Sequence, residues 1–322
     1  MSSKIIAMHQ KYLINKLATM TRFFNYVSEH MKRRAVWIDG AMPLLFVLIW
    51  STGFIVAKFG LPYAPPLSFL LLRYFGVLII LLPLMLMMRT DWPRGLVLHI
   101  ALAGVMVQAG YLSGVWCAIK LGMPAGLSAL IVGLQPLLTA LAAPLVKESL
   151  RPRQWLGLLL GLGGVALVVS EKLTASGSSL LTISLCVFGL FSITAGTLYQ
   201  RHFCPRFDLR SGAVIQFTAS VLVTLPLAWW LEDLRPDFSS VQWTADFVLA
   251  LCWSVLALSI GAMFLLFALI RKNAATHVSS LMYLTPPVTA FLAWLLFGES
   301  FAWAGIAGLL LAVTGVAFVV KK

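Results

Sequence analysis

The sequence predicts an all-α polytopic membrane protein in which ten transmembrane helices form two inverted five-helix repeats. Three observations predict this fold. Hydrophobic residues make up 60% of the 322 residues and charged residues only 11%, whereas a soluble domain carries about a quarter charged residues. Ten apolar runs have about the length, roughly 20 residues, that crosses a bilayer as a helix. The second half of the chain also repeats the first.

The ten predicted spans follow one another with short connections. Helices are the expected structure, because an apolar run in lipid must satisfy its own backbone hydrogen bonds. The spans are 41–59, 67–88, 95–118, 124–145, 153–170, 179–200, 211–231, 246–270, 276–297 and 303–320. They define a basic N-terminal segment over residues 1–40, a first repeat over 41–170 and a second repeat over 179–320.

The distribution of positive charge predicts that both termini lie in the cytoplasm. With the N-terminus inside, about 19 of the 24 Lys and Arg residues are cytoplasmic, and the outer loops hold only Lys120, Lys172 and Arg235. Such an excess is typical of cytoplasmic loops, so the net charge of +13 does not call for a nucleic-acid partner. Segment 1–40 is either a disordered tail or an amphipathic helix on membrane lipids. Met1, Met20 and Met31 all remain open as the start of translation.

A repeat with a fixed spacing of 151 residues relates the two halves, and Tyr111–Val169 aligns with Ala262–Val320 without a gap. Spans three to five thus repeat as spans eight to ten, an offset of five spans. Because five is an odd number, the second half is expected to lie upside down relative to the first. Inverted repeats are typical of carriers, whose halves exchange conformations around a midplane site. The matches that an apolar composition does not explain are Pro136 with Pro287, Glu148 with Glu299, and Gly157 with Gly308.

Two short segments resemble the opening of proteins in the EamA-type drug/metabolite transporter superfamily. They are Trp50–Lys58, which reads WSTGFIVAK, and Phe69–Arg73, which reads FLLLR. The paired segments that end in Glu148–Ser149 and Glu299–Ser300 show the same resemblance, each followed by a glycine-rich helix. The resemblance implies two EamA domains, ten spans and the export or exchange of small metabolites. The basic extension before the first span departs from the family pattern.

Polar and aromatic residues inside the predicted spans are candidates for substrate binding, because such residues are costly in lipid. Trp50, Trp116 and Trp253 suggest an aromatic cage for an organic cation or an aromatic amino acid. Arg73 and Lys58 form either a cationic rim for carboxylate-bearing solutes or a pair that snorkels to the head groups. The substrate-binding candidates are Trp50, Arg73, Gln108, Tyr111, Gln135, Gln216, Trp253 and Tyr283.

Several of these candidates belong to polar stripes at helical spacing in spans three, four, seven and nine. The stripes would line a central cavity if they face inward, and otherwise they hydrogen-bond neighbouring helices. We interpret them together as a cavity. The stripes are Gln108, Tyr111 and Val115; Ser128, Gln135 and Thr139; Gln216, Ser220 and Thr224; and Ser279, Tyr283 and Pro286.

A second set of residues is predicted to shape or gate the path. Pro136 and Pro287 each remove a backbone donor and free a carbonyl group, which can bind solute, permit bending or only kink the helix. Glu148 and Glu299 precede spans five and ten, where a carboxylate meets the positive end of the helix dipole. Lys58 completes this structural and gating set. The glycine-rich spans five and ten are expected to form a scaffold or a homodimer contact.

The sequence also argues against several functions. Because no Asp or Glu lies at mid-span, we expect little or no dependence of transport on a buried carboxylate. There is no Walker A sequence, HExxH, nucleophile elbow or His/Cys cluster, so we predict no enzyme activity, no cofactor and no metal. The preferred interpretation is an inner-membrane carrier of a small metabolite, such as an amino acid or a related amphipathic compound. A membrane enzyme acting on lipids and a passive channel remain the alternatives.

Overall fold

The computed structural model describes residues 41–88, 90–142, 152–175, 179–204, 206–265, 284–299 and 302–320. The N-terminal segment 1–40 and the predicted site residues Glu148 and Tyr283 lie outside these ranges. The chain divides into a small unit, Met1–Leu45, described only at residues 41–45, and a large unit, Phe46–Lys322. All contacts reported below lie within the large unit.

Every regular element in the described ranges is a helix. Six helices are long and apolar enough to cross a membrane: α1, Ala41–Gly60; α2, Pro66–Met87; α3, Arg94–Lys120; α7, Leu180–Phe203; α8, Leu209–Glu232; and α9, Ala245–Leu265. The others are α4, Ala125–Val132; α5, Gln135–Leu141; α6, Pro152–Ala175; α10, Thr285–Phe297; and α11, Trp303–Val320. These helices fall in the ten predicted spans, and the count of ten membrane crossings stays a prediction.

The described helices expose large apolar side chains and bury several hydroxyl groups beside an apolar core. Large apolar residues such as Ile79, Leu98 and Leu222 are more than two-thirds exposed, while Ser51 and Ser220 are fully buried. Lipid is as apolar as leucine, so a membrane protein gains by packing small and hydroxylated residues between its helices. The outward-facing apolar surface therefore supports a bilayer as the solvent.

Local sequence signals fix several helix ends. Helix α2 begins with Pro66 at its first position, where a missing N–H group costs nothing. Ser179 and Thr244 accept hydrogen bonds from the backbone of the first turns of α7 and α9, as N-cap residues do. Helix α10 ends at Gly298, which has a φ of 67° that favours glycine.

Pro136 and Pro287 both lie in the first turn of a helix. The fourth predicted span is divided at Gly133, between α4 and α5, and Pro136 lies in the first turn of α5. Pro287 likewise lies in the first turn of α10. Proline is well tolerated in a first turn because its missing N–H group has no intrahelical partner there. Pro136 therefore begins the helical segment α5 rather than bending a continuous helix.

Helices α6 and α11 pack closely through glycine. A Cβ atom at Gly164 would lie 2.5 Å from the carbonyl oxygen of Gly308, and one at Gly315 would lie 2.5 Å from that of Gly157. The repeat spacing relates the two contacts, because Gly315 corresponds to Gly164 and Gly157 corresponds to Gly308. Each contact is the other with the two repeats exchanged, as a two-fold axis between the repeats requires. The small faces predicted for a scaffold or a dimer contact thus pack against each other within one chain.

Both long helices α3 and α9 contain a π-helical segment. These segments are Val105–Gly110 and Ser254–Gly261. In the alignment of the two repeats, the first segment falls within the second. A π segment shifts the register of the side chains that follow it and occurs frequently at functional sites. The two segments therefore mark corresponding places in the two halves.

Candidate functional site

A cavity of about 260 Å³ lies between α1, α2, α3, α7, α8 and α9. The π-helical segments of α3 and α9 contribute to its wall from opposite repeats. Four residues of α3 and their four counterparts at the repeat spacing all line the cavity: Val107, Gln108, Tyr111 and Leu112, with Leu258, Ser259, Ala262 and Met263. Corresponding residues of the two halves therefore line one cavity, as they do at the midplane site of carriers built from inverted repeats.

Arg73 projects from α2 into this cavity. Its side chain is 7% exposed, and its Nε atom donates a hydrogen bond to the Ser259 Oγ atom at 3.0 Å. The Ser259 hydroxyl in turn donates to the carbonyl oxygen of Ser254 at 2.9 Å. The predicted rim shared by Arg73 and Lys58 is wrong, because Arg73 lines the interior while Lys58 is held elsewhere.

Amide side chains lie around the cavity on three helices. Gln216 of α8 donates from Nε2 to the Gln200 Oε1 atom of α7 at 2.9 Å. Gln108 accepts a hydrogen bond from the Tyr74 hydroxyl through its backbone carbonyl at 2.9 Å, and its side chain has no hydrogen-bond partner among the described residues. The Gln108 amide is therefore free to bind a solute.

Aromatic rings form the apolar part of the wall. Trp50, Phe54, Tyr111, Phe207 and Phe217 line the cavity together with Trp116. Trp116 is 2% exposed because its ring packs against Phe69, with centroids 4.7 Å apart. This wall suits a solute with an apolar or aromatic body.

Trp253 lies outside the cavity, so the predicted cage of three tryptophans is wrong. Its side chain is 45% exposed, and its Nε1 atom donates to the Thr52 Oγ1 atom at 2.9 Å. Trp253 directly precedes the π segment of α9. Ser259, inside the π segment, lines the cavity, while Trp253 does not.

Gln135 lines a neighbouring cavity of about 60 Å³ rather than the main one. The two cavities share Trp50 and Tyr111 in their walls. The Gln135 Nε2 atom donates to the Thr197 Oγ1 atom of α7 at 3.1 Å. Gln135 thus links α5 to α7 beside the main cavity.

Other residues of the predicted polar stripes face neighbouring helices. Ser220 of α8 donates to the carbonyl oxygen of Gly104 in α3 at 3.2 Å. Ser128 donates to the carbonyl oxygen of Pro124, at the start of its own helix, at 3.0 Å and accepts from the Cys186 Sγ atom of α7 at 3.6 Å. Ser220 and Ser128 thus contact neighbouring helices, whereas the buried Thr224 hydroxyl has no hydrogen-bond partner among the described residues.

Charged side chains join neighbouring helix ends on the side of the large unit where α3 ends, and we call this group the sealed end: Lys58, Lys120, Glu232 and Glu299. Lys58 of α1 pairs with the Glu299 Oε1 atom. Glu299 also accepts from the backbone N–H groups of Ala125 and Gly126, at 3.0 and 3.2 Å. Glu299 therefore caps α4 of the first repeat, and not α11 as the sequence predicts.

Glu232 caps the N-terminus of helix α2 in the same way. Its carboxylate accepts from the backbone N–H groups of Leu67 and Ser68 at 2.7 and 2.8 Å. Lys120 donates to the carbonyl oxygen of Leu61, which closes the connection after α1. In the same region a hydrogen bond to Asp246 raises the pKa of Tyr63. A carboxylate at a helix N-terminus is favourable because of the helix dipole and the unpaired N–H groups there.

The opposite end of the cavity meets a wide surface pocket, the vestibule, formed by residues 91–96 and 206–208 and about 590 Å³ in volume. Phe207 lines both the cavity and the vestibule. Asp208 caps α8 and forms an ion pair with Arg210 at 2.8 Å. The side-chain hydrogen bond from Arg210 lowers the pKa of Asp208. The Phe207 ring thus lies between the cavity and the vestibule.

The sequence prediction missed Gln200, Ser259 and Phe207. The repeat could have predicted Ser259, because this residue lies one repeat spacing after the candidate Gln108. Gln200 is the last residue of the sixth predicted span, a place where polar residues normally face the interface. Phe207 falls in a predicted loop, where nothing in the sequence distinguishes a ring that closes a cavity.

Apolar helices around an interior cavity, with polar groups from both repeats in its wall, define a membrane transporter. The sequence profile of the EamA-like transporter family matches residues 39–170 and 180–321. The chain belongs to this family, as its resemblance to EamA-type transporters predicts.

Relatives agree with this assignment. The chain is 28% identical to the uncharacterized transporter YvbV of Bacillus subtilis (strain 168), over 86% of this chain and 89% of that protein. It is 27% identical to a protein of Salmonella typhimurium (strain LT2) named a probable amino-acid metabolite efflux pump, over 86% and 93% of the two chains. A protein of known crystal structure shares the fold, with a TM-score of 0.60 at 19% identity over 87% and 96% of the two chains.

Proposed function

We propose that the protein is a secondary carrier that exports or exchanges a small metabolite across the inner membrane by alternating access. The observation that carries this proposal is the cavity, whose wall contains repeat-related residues of α3 and α9. Two halves of similar sequence can close the cavity at either end in turn. Ten spans, two inverted repeats and cytoplasmic termini are part of the proposal.

The arrangement of the two ends supports the same proposal. The sealed end is held by Lys58 and Glu299, while at the vestibule Phe207 alone lines both spaces. The charge distribution of the loops assigns the vestibule to the cytoplasmic side. In this conformation the carrier is therefore closed to the outside and close to opening inward.

An amino acid or a related amphipathic compound is the proposed type of substrate. The cavity combines aromatic rings with Arg73 and the amides of Gln108, Gln200 and Gln216. This combination suits a small solute with an apolar body and a polar end. The name of the Salmonella typhimurium relative, an amino-acid metabolite efflux pump, points in the same direction.

Counterflow in proteoliposomes tests the carrier proposal. Purified protein is reconstituted, the vesicles are loaded with unlabelled leucine or its oxo acid, and uptake of the radiolabelled compound is followed. A carrier gives a transient accumulation that requires the internal compound. A channel gives equal uptake with empty vesicles, and a lipid-modifying enzyme changes the lipids chemically; either result contradicts the proposal.

A further inference from the structure

We propose that the cavity selects monoanionic carboxylates: solutes with one carboxylate, an apolar or aromatic body and no charged amino group. Oxo acids and N-acylated amino acids have this chemistry. The inference rests on the proposed function, because it assigns a substrate class to the same cavity. It is carried by the charge of the cavity wall.

Arg73 is the only charged residue in the described wall of the cavity. The Asp and Glu residues in the described ranges lie near helix ends or in connections, and none belongs to the described wall of the cavity. They are Asp91, Glu171, Asp208, Glu232, Asp233, Asp237, Asp246 and Glu299. The undescribed stretch 266–283, which follows α9, contains no Asp or Glu. The described wall thus offers a cation for an anionic group, and it offers no carboxylate for a solute ammonium group.

The Arg73 guanidinium is poorly satisfied by the protein. It carries five N–H donors, and among the described residues only its Nε atom makes a hydrogen bond, to Ser259. A buried cation without a counter-ion is costly. A solute carboxylate can accept two parallel hydrogen bonds from the remaining donors. An anion in the cavity would therefore supply the counter-ion and the hydrogen-bond acceptors that the described wall does not offer Arg73.

Ser259 orients this group for binding. Its hydroxyl proton is donated to the Ser254 carbonyl at 2.9 Å, so its oxygen is free to accept from Nε. The hydrogen bond fixes the plane of the guanidinium, and the two terminal nitrogens are left for a ligand. The residue comes from the π segment of α9, and the Arg73 side chain from α2. Two repeats therefore build the anion site together.

The rest of the wall disfavours an ammonium group near this site. An α-amino group lies next to its carboxylate and hence close to the Arg73 cation, which repels it. The rings of Trp50 and Tyr111 attract cations only weakly when a like charge is nearby. The free amide of Gln108 can instead bond a neutral hydroxyl, keto or amide group.

Isothermal titration calorimetry on the purified full-length protein tests the proposal with four probes of similar size. They are hydrocinnamate (an anion), hydrocinnamamide (neutral), L-phenylalanine (a zwitterion) and phenethylamine (a cation). We expect hydrocinnamate to bind at least about tenfold more tightly than each of the others, and phenethylamine most weakly. Equal or tighter binding of phenylalanine or phenethylamine overturns the proposal, as does no binding of any probe.

Variants assign the preference to the site. Arg73→Gln should reduce the advantage of hydrocinnamate to less than about threefold, and Ser259→Ala should reduce it partly. Arg235→Gln, which changes an exposed arginine in the α8–α9 connection, should leave it unchanged. If folded Ser259→Ala and Arg73→Gln proteins both keep the full preference, the site is assigned wrongly.

The calorimetric result is separable from the carrier proposal. Binding at equilibrium needs no movement across a membrane, so the order of affinities can hold even where counterflow fails. Counterflow of leucine and its oxo acid with no preference for the anionic probe would overturn only the charge selectivity.

Discussion

Phe207 occupies a position that depends on the missing side chain of Gly212. A Cβ atom at Gly212 would clash with the Phe207 ring, so only glycine leaves the notch in which the ring lies. The same ring packs on the small apolar cluster of Ile100, Cys204 and Ile215. Phe207 lines both the cavity and the vestibule, so a shift of this ring changes the wall of both.

The Gly212→Ala variant is expected to displace Phe207 and expose Cys204. Cys204 is 4% exposed, and burial raises the pKa of its thiol, so it should react slowly with N-ethylmaleimide at neutral pH. In a background without the other cysteines, we expect the variant to label at least about tenfold faster. Mass spectrometry of the labelled peptide gives the rate.

Gly95→Ala is the matched control, because an added Cβ atom there meets nothing within 4 Å and the residue lies in the same vestibule. It should label at the rate of the parent. Equal rates for the Gly212 and Gly95 variants would show that the Phe207 ring does not depend on this notch.

At the scale of helices, corresponding elements of the two halves do corresponding work. The π segments Val105–Gly110 and Ser254–Gly261 face one cavity. The α6 and α11 helices contact each other through glycines related by the repeat spacing. The first pair lines the cavity and the second pair packs closely together. In the proposed carrier, the first pair would rearrange during transport while the second pair stays in contact.

The Gly164→Ala variant tests the scaffold contact. Its Cβ atom would lie 2.5 Å from the Gly308 carbonyl oxygen and 2.6 Å from the Ala312 nitrogen, and a helix backbone cannot yield cheaply. We expect a loss of about 1–3 kcal/mol of stability, seen as a lower Tm in detergent. Gly163→Ala is the control in the same helix, because its Cβ atom meets nothing within 4 Å.

Gly163→Ala should be neutral or slightly stabilising, since alanine is the better helix former by about 1 kcal/mol. A Tm for Gly164→Ala equal to that of Gly163→Ala would mean that α6 and α11 are not held by this close approach.

For the whole molecule, the sequence predicted the helices well because the length of an apolar run and its flanking charges are local properties. The site was predicted only in part. Trp50, Arg73, Gln108, Tyr111 and Gln216 line the cavity, since polar groups in lipid are informative wherever they occur.

The errors came from register and from long-range partners. Helical spacing assumes an undisturbed α-helix, whereas Ser259, which lines the cavity, lies inside the π segment of α9. Trp253 lies before that segment, outside the cavity, and donates a hydrogen bond to Thr52. Glu299 was assigned to the helix that follows it in sequence, whereas it binds Lys58 and caps α4. No local pattern reveals a partner more than a hundred residues away.

The central claim is that one cavity opens in turn to each side and that the Lys58–Glu299 ion pair holds the sealed end shut. The most direct test places a single cysteine at Gln216, in a background without the natural cysteines, and measures labelling by a membrane-impermeant maleimide from each face of oriented vesicles. The account predicts labelling from the vestibule face in the parent. Glu299→Gln should raise labelling from the opposite face severalfold and lower it from the vestibule face.

Asp237→Asn, at an exposed acid in the α8–α9 connection, should change neither rate. Labelling that stays at background from the face of the sealed end in Glu299→Gln would contradict the account. So would equal labelling from both faces in the parent, which indicates a channel.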